Sequence, residues 1–233
     1  MKIRLLLAAL TALVIWRLKR FYADAPVDDL RWILDPTALL AAAATGARFE
    51  WEPGQGYLSR ERLFVIAKVC AGVNFMIAAF GMTAWMLARR VVSLASLAAV
   101  LVASLLAAYS TTIVVNAGRV SFAVRAARHP AGMGWLTAAQ IHRVEGIAFY
   151  FGGLLLLYAL LRRFECGSVM TPLAWYLSIT IAIPLANGAA GRESSLLEHT
   201  VFVVGIPLVL IAVARVLTLH RFHDFFMGRL SSR

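Results

Sequence analysis

Long runs of apolar residues, separated by short polar connections, form the dominant pattern along this chain of 233 residues. Each run has the composition of a membrane-spanning helix, which takes about 20 mainly apolar residues. The pattern therefore predicts an all-α, polytopic membrane helix bundle that forms a single domain over residues 1–233. The predicted spans, about six in number, are residues 3–16, 64–88, 91–116, 141–161, 171–189 and 199–218.

The first run, residues 3–16, is shorter than a usual span and begins among basic residues. A signal peptide has this outline, but the small-residue cleavage pattern does not follow. Arg17, Lys19 and Arg20 come next instead. We therefore predict that this run is retained as an uncleaved first helix.

The segment after the first helix differs from the rest, because acidic and basic side chains are interspersed along it. Asp35-Pro36 is a typical helix start and Thr45-Gly46 a typical helix end, so a short apolar helix is predicted between them. That helix is too short to cross a bilayer, and we expect it to be re-entrant or to lie in the membrane interface. Residues 53–56, Pro-Gly-Gln-Gly, are predicted to form a turn.

The composition is that of an integral membrane protein. Hydrophobic residues make up 61% of the chain and charged residues 15%, against about half and about a quarter in soluble domains. The formal charge, 23 − 12 = +11, is typical of basic cytoplasmic loops that meet anionic lipid, so the lipid bilayer is an expected partner. We expect no nucleic-acid partner, since no basic patch with interleaved aromatic residues lies on a soluble domain.

The two cysteines, Cys70 and Cys166, are too few for a disulfide framework, and neither has the Cys or His spacing of a metal site. The chain also lacks the His-Glu-x-x-His pattern of zinc peptidases. It lacks a Gly-x-Ser-x-Gly serine facing a suitable histidine as well. We therefore expect no metal and no cofactor.

Orientation is predicted from the short loops. Arg89-Arg90 and Arg162-Arg163 form tight basic connections that favour the cytoplasmic side, which puts both termini inside. The basic residues after the first helix and those in residues 117–140 favour the opposite orientation. We give the double-arginine turns more weight.

Polar residues of three predicted spans converge on one face of the bundle. Cys70 lies near the start of its span, Asn116 and Arg119 lie at the end of the next, and His142 lies near the start of the third. Because consecutive spans alternate in direction, these positions meet at the same membrane face in either orientation. Cys166 lies at the opposite face and cannot pair with Cys70.

Lys68, two residues before Cys70, is unusual because an ammonium within a span is costly and marks either a site or a snorkelling end. The candidates for a surrounding layer or for substrate binding near the same face are Lys68, Asn116, Glu145, Gly146, Asn187, Arg192 and His199. Arg125, Arg128 and Arg143 are interpreted as lipid-facing charges.

A thiol, an imidazole and a guanidinium together are typical of acyl-transfer chemistry. The thiolate of Cys70 is the nucleophile, and cations such as Lys68 and Arg119 favour its ionised form. His142 can take the thiol proton and return it to a leaving amine. Arg119 keeps its charge and can stabilise a developing oxyanion or bind a substrate carboxylate.

Three short motifs, each at the end of a predicted span, resemble those of the exosortase/archaeosortase family: Cys70-Ala71-Gly72, Asn116-x-x-Arg119 and His142-x-x-x-Gly146. The resemblance extends from about residue 58 to about residue 153 and is greatest to the compact exosortase K subgroup. The chain departs from the family at Ala71, where a serine is more usual, and at Lys68, in a region where an acidic residue is more usual.

The resemblance implies a polytopic membrane cysteine enzyme that cleaves and transfers proteins at a C-terminal sorting tail, made of a short motif, a membrane helix and a basic end. Such a tailed protein would be the substrate and partner. Carried over by position, Cys70 is the nucleophile, Arg119 the electrostatic partner and His142 the general acid/base. The resemblance also implies a bacterial cytoplasmic (inner) membrane location, with the active site toward the periplasmic face.

Two other functions stay open at this point. One is a small b-type haem- or quinone-binding membrane subunit, in which His142 and His199 are axial ligands and no catalytic thiol is needed. The other is a non-enzymatic membrane assembly factor, in which Cys70, Arg119 and His142 are individually replaceable. Taken singly, the default interpretations of these three are a buried structural cysteine, a helix-end anchor and a helix-capping residue.

Overall fold

The computed structural model describes residues 2–61, 64–126, 138–162, 170–182 and 201–213, without the side chains of residues 138–140, 142 and 182. Within these ranges the chain forms seven α-helices and one three-stranded sheet. The helices are α1 (Lys2–Asp24), α2 (Arg31–Thr45), α3 (Val73–Leu87), α4 (Leu94–Ala126), α5 (Ala138–Arg162), α6 (Met170–Leu177) and α7 (Val201–Val213). The strands are β1 (Glu50–Glu52), β2 (Gly56–Ser59) and β3 (Phe64–Ile66).

Helix α3 is the centre of the bundle. Twelve of its 15 residues are buried, and a helix that is apolar on every side is expected to be enclosed by others. Helices α1, α4, α5 and α6 pack against it. On the α6 side the packing is so close that a Cβ added at Gly81 would collide with the Trp175 ring.

Helix α1 runs antiparallel to α3. Near the start of α1, the Arg4 guanidinium donates to the carbonyl of Arg89, just beyond the end of α3 (3.4 Å). Near the end of α1, the Lys19 ammonium donates to the side-chain oxygen of Asn74 in the first turn of α3 (2.7 Å). The end of α1 therefore lies at the same end of the bundle as the start of α3.

Three helical segments of the described ranges are long and apolar enough to cross a membrane: Lys68–Arg90, Leu94–Ala126 and Arg143–Arg162. They support a membrane protein. Helix α4 has 33 residues, or roughly 50 Å at about 1.5 Å per residue. Its outer surface exposes apolar side chains such as Val102, Leu106 and Val114, as expected where a helix faces lipid.

The predicted span 64–88 begins too early. Residues Phe64–Ile66 form a strand, Lys68–Cys70 form a single 3₁₀ turn, and the α-helix begins only at Val73. The apolar run is continuous through all three, so hydropathy does not separate them. Cys70 therefore precedes the α-helix instead of lying within it.

Two other predicted spans are shorter than the helices that contain them. Helix α4 continues to Ala126, past the predicted end at residue 116, and so places Arg119 inside the helix. Helix α1 continues to Asp24, past the predicted end at residue 16. Each extension carries polar side chains that find contacts inside the protein, and for this reason a pattern based on apolar residues ends both helices too soon.

The last three predicted spans are described to different extents. Span 141–161 corresponds to α5. For span 171–189 the structure describes α6 and a π-helical turn, Ser178–Ala182, and for span 199–218 it describes α7. The remaining residues of these two spans lie outside the described ranges, so a total of six spans stays a prediction.

The structure contains a small antiparallel sheet, whose strands pair in the order β1-β2-β3. The prediction of an all-α fold does not include it. Trp51 lies opposite Tyr57, and Tyr57 lies opposite Ile66 on the third strand. The predicted turn at residues 53–56 connects β1 to β2, with Gly54 at φ 76°. Strands of three or four residues are too short to show a clear alternating pattern, which explains why the sequence analysis missed them.

The sheet is fixed to the start of α2 by polar contacts. The Tyr57 hydroxyl donates to Asp35 Oδ1 (2.9 Å), and Arg31 donates to the same oxygen (3.4 Å). Burial and the Asp35 carboxylate raise the pKa of Tyr57, so its phenol keeps the proton that it donates. The Arg31 guanidinium also lies 4.9 Å from the centroid of the Trp51 ring. These contacts hold β1 and β2, and β3, the strand that leads to Cys70, pairs with β2.

Helix α2 begins at Arg31, earlier than predicted, so Pro36 lies inside it. Proline has no N–H, and the carbonyl of Trp32, four residues back, loses its donor within the helix. The Tyr109 hydroxyl of α4 donates to this carbonyl instead (2.7 Å), and the Trp32 and Tyr109 rings stack at 5.9 Å. The helix ends where predicted, with Gly46 in the left-handed conformation (φ 67°).

Helix α2 lies alongside the second half of α4 and does not cross it. The Tyr109 hydroxyl donates to the carbonyl of Trp32 near the start of α2, and Arg125 donates to the carbonyl of Ala44 near its end. Because both residue numbers increase together, the two helices run in the same direction. The placement of α2 relative to the bilayer, re-entrant or interfacial, stays a prediction.

We expect Tyr109→Phe to lower the free energy of unfolding by about 1 kcal/mol, because the carbonyl of Trp32 loses its donor. In a Pro36→Ala background, residue 36 regains a backbone N–H and the same substitution should cost less. Thermal unfolding of the four variants in lipid nanodiscs measures both costs. Equal costs in the two backgrounds would show that the hydroxyl does not compensate for the proline.

Candidate active site

Cys70 lies in a tight connection between β3 and α3. In the 3₁₀ turn Lys68–Cys70, the N–H of Cys70 donates to the carbonyl of Ala67 (2.8 Å). Gly72 then takes the left-handed conformation (φ 69°) and forms the N-cap of α3. Cys70 is therefore held in a strand–turn–helix junction, directly before the end of α3 that carries the positive pole of the helix dipole.

Gly72 permits both this turn and a close approach by α4. Glycine is the residue that adopts a positive φ without strain. A Cβ added at Gly72 would lie 3.2 Å from Thr112 Cγ2 and 3.5 Å from the amide of Asn116, both on α4. The absence of a side chain at this position lets the backbone beside Cys70 lie against α4.

One face of α4 carries the polar residues that meet this junction. Thr112, Asn116 and Arg119 are spaced at i, i+4 and i+7, which places them on one side of the helix. They are 0%, 0% and 7% exposed. Ser104 and Ala108 continue the same buried stripe, and small residues of this kind let helices pack closely. Helix α4 therefore presents an amide and a guanidinium to Cys70 from within an apolar span.

Four residues are linked in a closed set of contacts, which we call the Cys70 network: Cys70, Asn116, Arg119 and Tyr150. Asn116 Nδ2 donates to the carbonyl of Cys70. Asn116 Oδ1 accepts from the Tyr150 hydroxyl (3.1 Å), and the same hydroxyl accepts from Arg119 Nη1 (3.0 Å). The Arg119 guanidinium interacts electrostatically with Cys70, which closes the set. The network joins the start of α3 to α4 and α5.

The Arg119 guanidinium is enclosed by α5. Its central carbon lies 5.3 Å from the centroid of the Tyr150 ring, and a Cβ added at Gly146 would lie 3.5 Å from Arg119 Nε. Glu145 is 8% exposed and interacts electrostatically with Arg119. Phe75 of α3 stacks on the Tyr150 ring (5.3 Å between centroids). Aromatic rings and a glycine thus fix the space that the guanidinium occupies.

Lys68 holds the end of α1. Its ammonium donates to the carbonyls of Ala23 (3.1 Å) and Ala25 (2.7 Å), where a cation is favourable because the last carbonyls of a helix lack donors. The Tyr22 hydroxyl donates to the carbonyl of Lys68 (3.2 Å). The ammonium of Lys68 thus contacts the end of α1. The sequence analysis expects it instead to favour the ionised form of the Cys70 thiol.

A cavity of about 420 Å³ opens beside Cys70. Val69 and Gly72, which flank Cys70 along the chain, line it together with Arg119, Gly146 and Tyr150. The rest of the described wall is mostly apolar and comes from α1, α3, α5, α6, the π-helical turn after α6, and α7. Ligand pockets of proteins measure about 300–1,000 Å³, so this cavity is large enough for several side chains of an extended peptide.

The predicted site residues fall into two groups. Cys70, Asn116 and Arg119 meet in the Cys70 network, and Glu145 and Gly146 lie beside Arg119. The backbone of His142 lies in α5, but its side chain lies outside the described part of the structure. The predicted site residues Asn187, Arg192 and His199 lie wholly outside the described ranges, as do Arg128 and Cys166.

The interpretation of Arg143 as lipid-facing is wrong, because this residue lines the cavity. Arg125 donates to the carbonyl of Ala44 and so meets the last turn of α2. Both arginines lie near the ends of long apolar helices, where the sequence does not distinguish an inward-facing from an outward-facing side chain.

Within the described ranges, no group of three or more His, Cys, Asp or Glu residues is placed to hold a metal ion. The two axial ligands of the haem alternative are His199 and the imidazole of His142. Both lie outside the part of the chain whose side chains are described.

Tyr150 is the member of the Cys70 network that the sequence analysis does not name. It lies four residues after Gly146 within an apolar helix, which is the spacing of one helix face. A tyrosine hydroxyl packed among apolar side chains generally needs a hydrogen-bond partner. A tyrosine on the helix face of Gly146, with a hydroxyl that needs a hydrogen-bond partner, was therefore the signal in the sequence that could have identified Tyr150.

Comparison of the chain with protein-family models, with curated proteins and with solved structures finds no match. Conclusions about function therefore depend on the geometry and chemistry of the site.

Proposed function

We propose that this chain is a membrane-embedded cysteine peptidase and transpeptidase of the exosortase type, which cleaves proteins at a C-terminal sorting tail. The observation that carries the proposal is the buried Arg119 guanidinium, which shares the Tyr150 hydroxyl with the Asn116 amide that holds the Cys70 carbonyl, at the junction of α3, α4 and α5 and beside a largely apolar cavity. A structural cysteine has no need of a guanidinium, whose burial is costly. A nucleophilic cysteine is activated by one.

The proposed reaction begins with attack by the Cys70 sulfur on the carbonyl carbon of a substrate peptide bond. His142 takes the thiol proton, and the carbonyl electrons move to the oxygen, where the charge of Arg119 stabilises them. When the tetrahedral intermediate collapses, the carbon–nitrogen bond breaks. The imidazolium of His142 gives its proton to the departing amine. A thioester on Cys70 remains.

The thioester is resolved by a second nucleophile. An amine or a water molecule adds to the thioester carbonyl and gives its proton to His142, and the thiolate of Cys70 leaves. An amine gives a new amide, which is transfer, and water gives a carboxylate, which is hydrolysis. Arg119 serves the oxyanion of both steps, because the charge develops on the same oxygen each time.

We further propose a bundle of about six spans in the bacterial cytoplasmic (inner) membrane, with the Cys70 network toward the periplasmic face. The basic pair Arg89-Arg90 lies at the end of α3 opposite to Cys70, and basic loops favour the cytoplasmic side. The start of α1, with Arg4, lies at that same end. The substrate is a protein whose C-terminal membrane helix brings the cleavage site to the outer end of α3.

Trapping the acyl-enzyme tests the proposal. The full-length protein is co-expressed with a protein that ends in a short motif, a membrane helix and a basic tail, and the reaction is stopped in acid. We expect mass spectrometry to find an acyl adduct on Cys70 that hydroxylamine removes, because hydroxylamine cleaves thioesters. The Cys166→Ser variant should carry the same adduct. Product formation with an unmodified Cys70 throughout would refute the mechanism.

A further inference from the structure

We infer that Tyr150 is a positioning residue, whose hydroxyl fixes the Arg119 guanidinium against the Cys70 sulfur. This inference deepens the proposed function and rests on it for its catalytic meaning. The geometry on which it depends, the position of one charge beside one thiol, exists whether or not the protein is a peptidase. The two ideas can therefore fail separately.

The Tyr150 hydroxyl joins the two α4 side chains that face Cys70. It accepts from Arg119 Nη1 (3.0 Å) and donates to Asn116 Oδ1 (3.1 Å). The amide of Asn116 is fixed in turn, because its nitrogen donates to the carbonyl of Cys70. The guanidinium is thus positioned relative to the backbone of the cysteine that it serves.

The ring of Tyr150 is itself held in place, so the position of its hydroxyl is defined. Phe75 stacks on it with a 21° angle between the ring planes, and the Arg119 guanidinium lies over it at 5.3 Å. Because Phe75 belongs to the first turn of α3, the ring is packed against the helix that follows Cys70. A long arginine side chain otherwise has many rotamers, and one well-placed acceptor removes most of that freedom.

Tyr150→Phe isolates the hydroxyl. The variant keeps the stacked ring and its contact with Arg119, and it removes only the oxygen that accepts from the guanidinium and donates to Asn116. Arg119 should then take up other positions, and the average distance from its charge to the Cys70 sulfur should increase. If Tyr150 contributed only the packing of its ring, the variant would leave the charge near the Cys70 sulfur unchanged.

Competing alkylation measures that charge without a substrate. In a Cys166→Ser background Cys70 is the only thiol, and its rate constants with iodoacetate and with iodoacetamide are measured in nanodiscs. In both reactions the sulfur forms a bond to carbon and iodide leaves. Because the two reagents are similar in size and attack the same thiolate, the fraction of thiolate cancels from the ratio of their rate constants. A guanidinium beside the sulfur raises this ratio in favour of the anionic reagent.

We expect Arg119→Gln to lower the iodoacetate-to-iodoacetamide ratio by about tenfold, and Tyr150→Phe to lower it by about threefold to fivefold. Tyr158→Phe is the matched control, because Tyr158 is a buried tyrosine two turns further along α5. Its ratio should equal that of the parent. If Tyr150→Phe leaves the ratio unchanged, or if Arg119→Gln does so, the inference is overturned.

Turnover gives an independent readout once a processed substrate is in hand. A displaced guanidinium weakens stabilisation of the oxyanion, which exists only in the transition state, so Tyr150→Phe should lower kcat by about tenfold with little change in KM. A rise in KM with kcat unchanged would assign Tyr150 to substrate binding and overturn its positioning role. A changed alkylation ratio in a protein that cleaves nothing would support the geometry and refute the proposed function.

Discussion

Cys70→Ala should abolish processing of a tailed substrate, with rates falling by on the order of 10⁶-fold or to below detection. In the proposed mechanism the sulfur forms the covalent intermediate, and no neighbour in the Cys70 network can replace it, since an amide, a guanidinium and a phenol are poor nucleophiles at neutral pH. Protein level and thermal stability should change little, because the substitution replaces only the thiol group in this turn by a hydrogen. Co-expression with the substrate, followed by immunoblotting for the cleaved form, measures the effect.

Cys166→Ala is the matched control for the loss of a thiol. It should process the substrate at the parental rate, because the predicted topology puts Cys166 at the opposite end of the bundle from Cys70. Cys70→Ser should be as inactive as Cys70→Ala, since a serine hydroxyl ionises far less readily than a thiol. Normal processing by Cys70→Ala would favour the assembly-factor alternative, in which each site residue is replaceable.

Replacing Arg119 should give the second largest loss. We expect Arg119→Gln to lower kcat by about 10²–10³-fold, the usual cost of removing an oxyanion donor. Arg119→Lys should recover only part of this loss. An ammonium keeps the charge but lacks the planar, forked set of donors that reaches both the Tyr150 hydroxyl and the space beside Cys70. Steady-state kinetics with a purified tailed substrate distinguish the two variants.

Arg125→Gln serves as the control for Arg119→Gln, because both arginines lie on α4 and only Arg119 belongs to the Cys70 network. Its kcat should stay within about twofold of the parent. A loss of stability is expected there instead, since Arg125 donates to the carbonyl of Ala44 at the end of α2. Similar losses of kcat in both variants would mean that general disturbance of α4 explains the effect of Arg119.

The sequence predicts those parts of the fold that depend on apolar length and on helix-ending residues. The left-handed Gly46 ends α2 where Thr45-Gly46 predicts it. The juxtaposition of Cys70 with Asn116 and Arg119 follows from the alternating direction of consecutive spans, which needs no knowledge of side-chain packing. These features are local or topological, and for this reason a single sequence contains them.

The features that the sequence does not predict are those set by tertiary contacts. The apolar run that contains Phe64 and Cys70 satisfies the pattern of a helix, but its first residues pair with β2 instead. Pro36 is a good first residue of a helix, yet α2 begins before it. Pro36 leaves the carbonyl of Trp32 without a donor in the helix, and Tyr109, distant in the chain, supplies one. Tyr150 belongs to the site because of where its hydroxyl lies relative to α4. In each case the partner is far away in sequence, and local pattern cannot identify it.

The enclosure of α3 limits how far the surrounding lipid can act on the region next to Cys70. Bilayers differ in thickness by several ångströms, and a spanning helix adjusts by tilting or by local thinning of the lipid around it. These forces act first on helices with large lipid-exposed surfaces, of which α4 is one. The helix that follows Cys70 has little surface on which lipid can act. Cys70, the proposed nucleophile, therefore directly precedes the most enclosed of the three candidate spans in the described residues, where changes in membrane composition have the least surface on which to act.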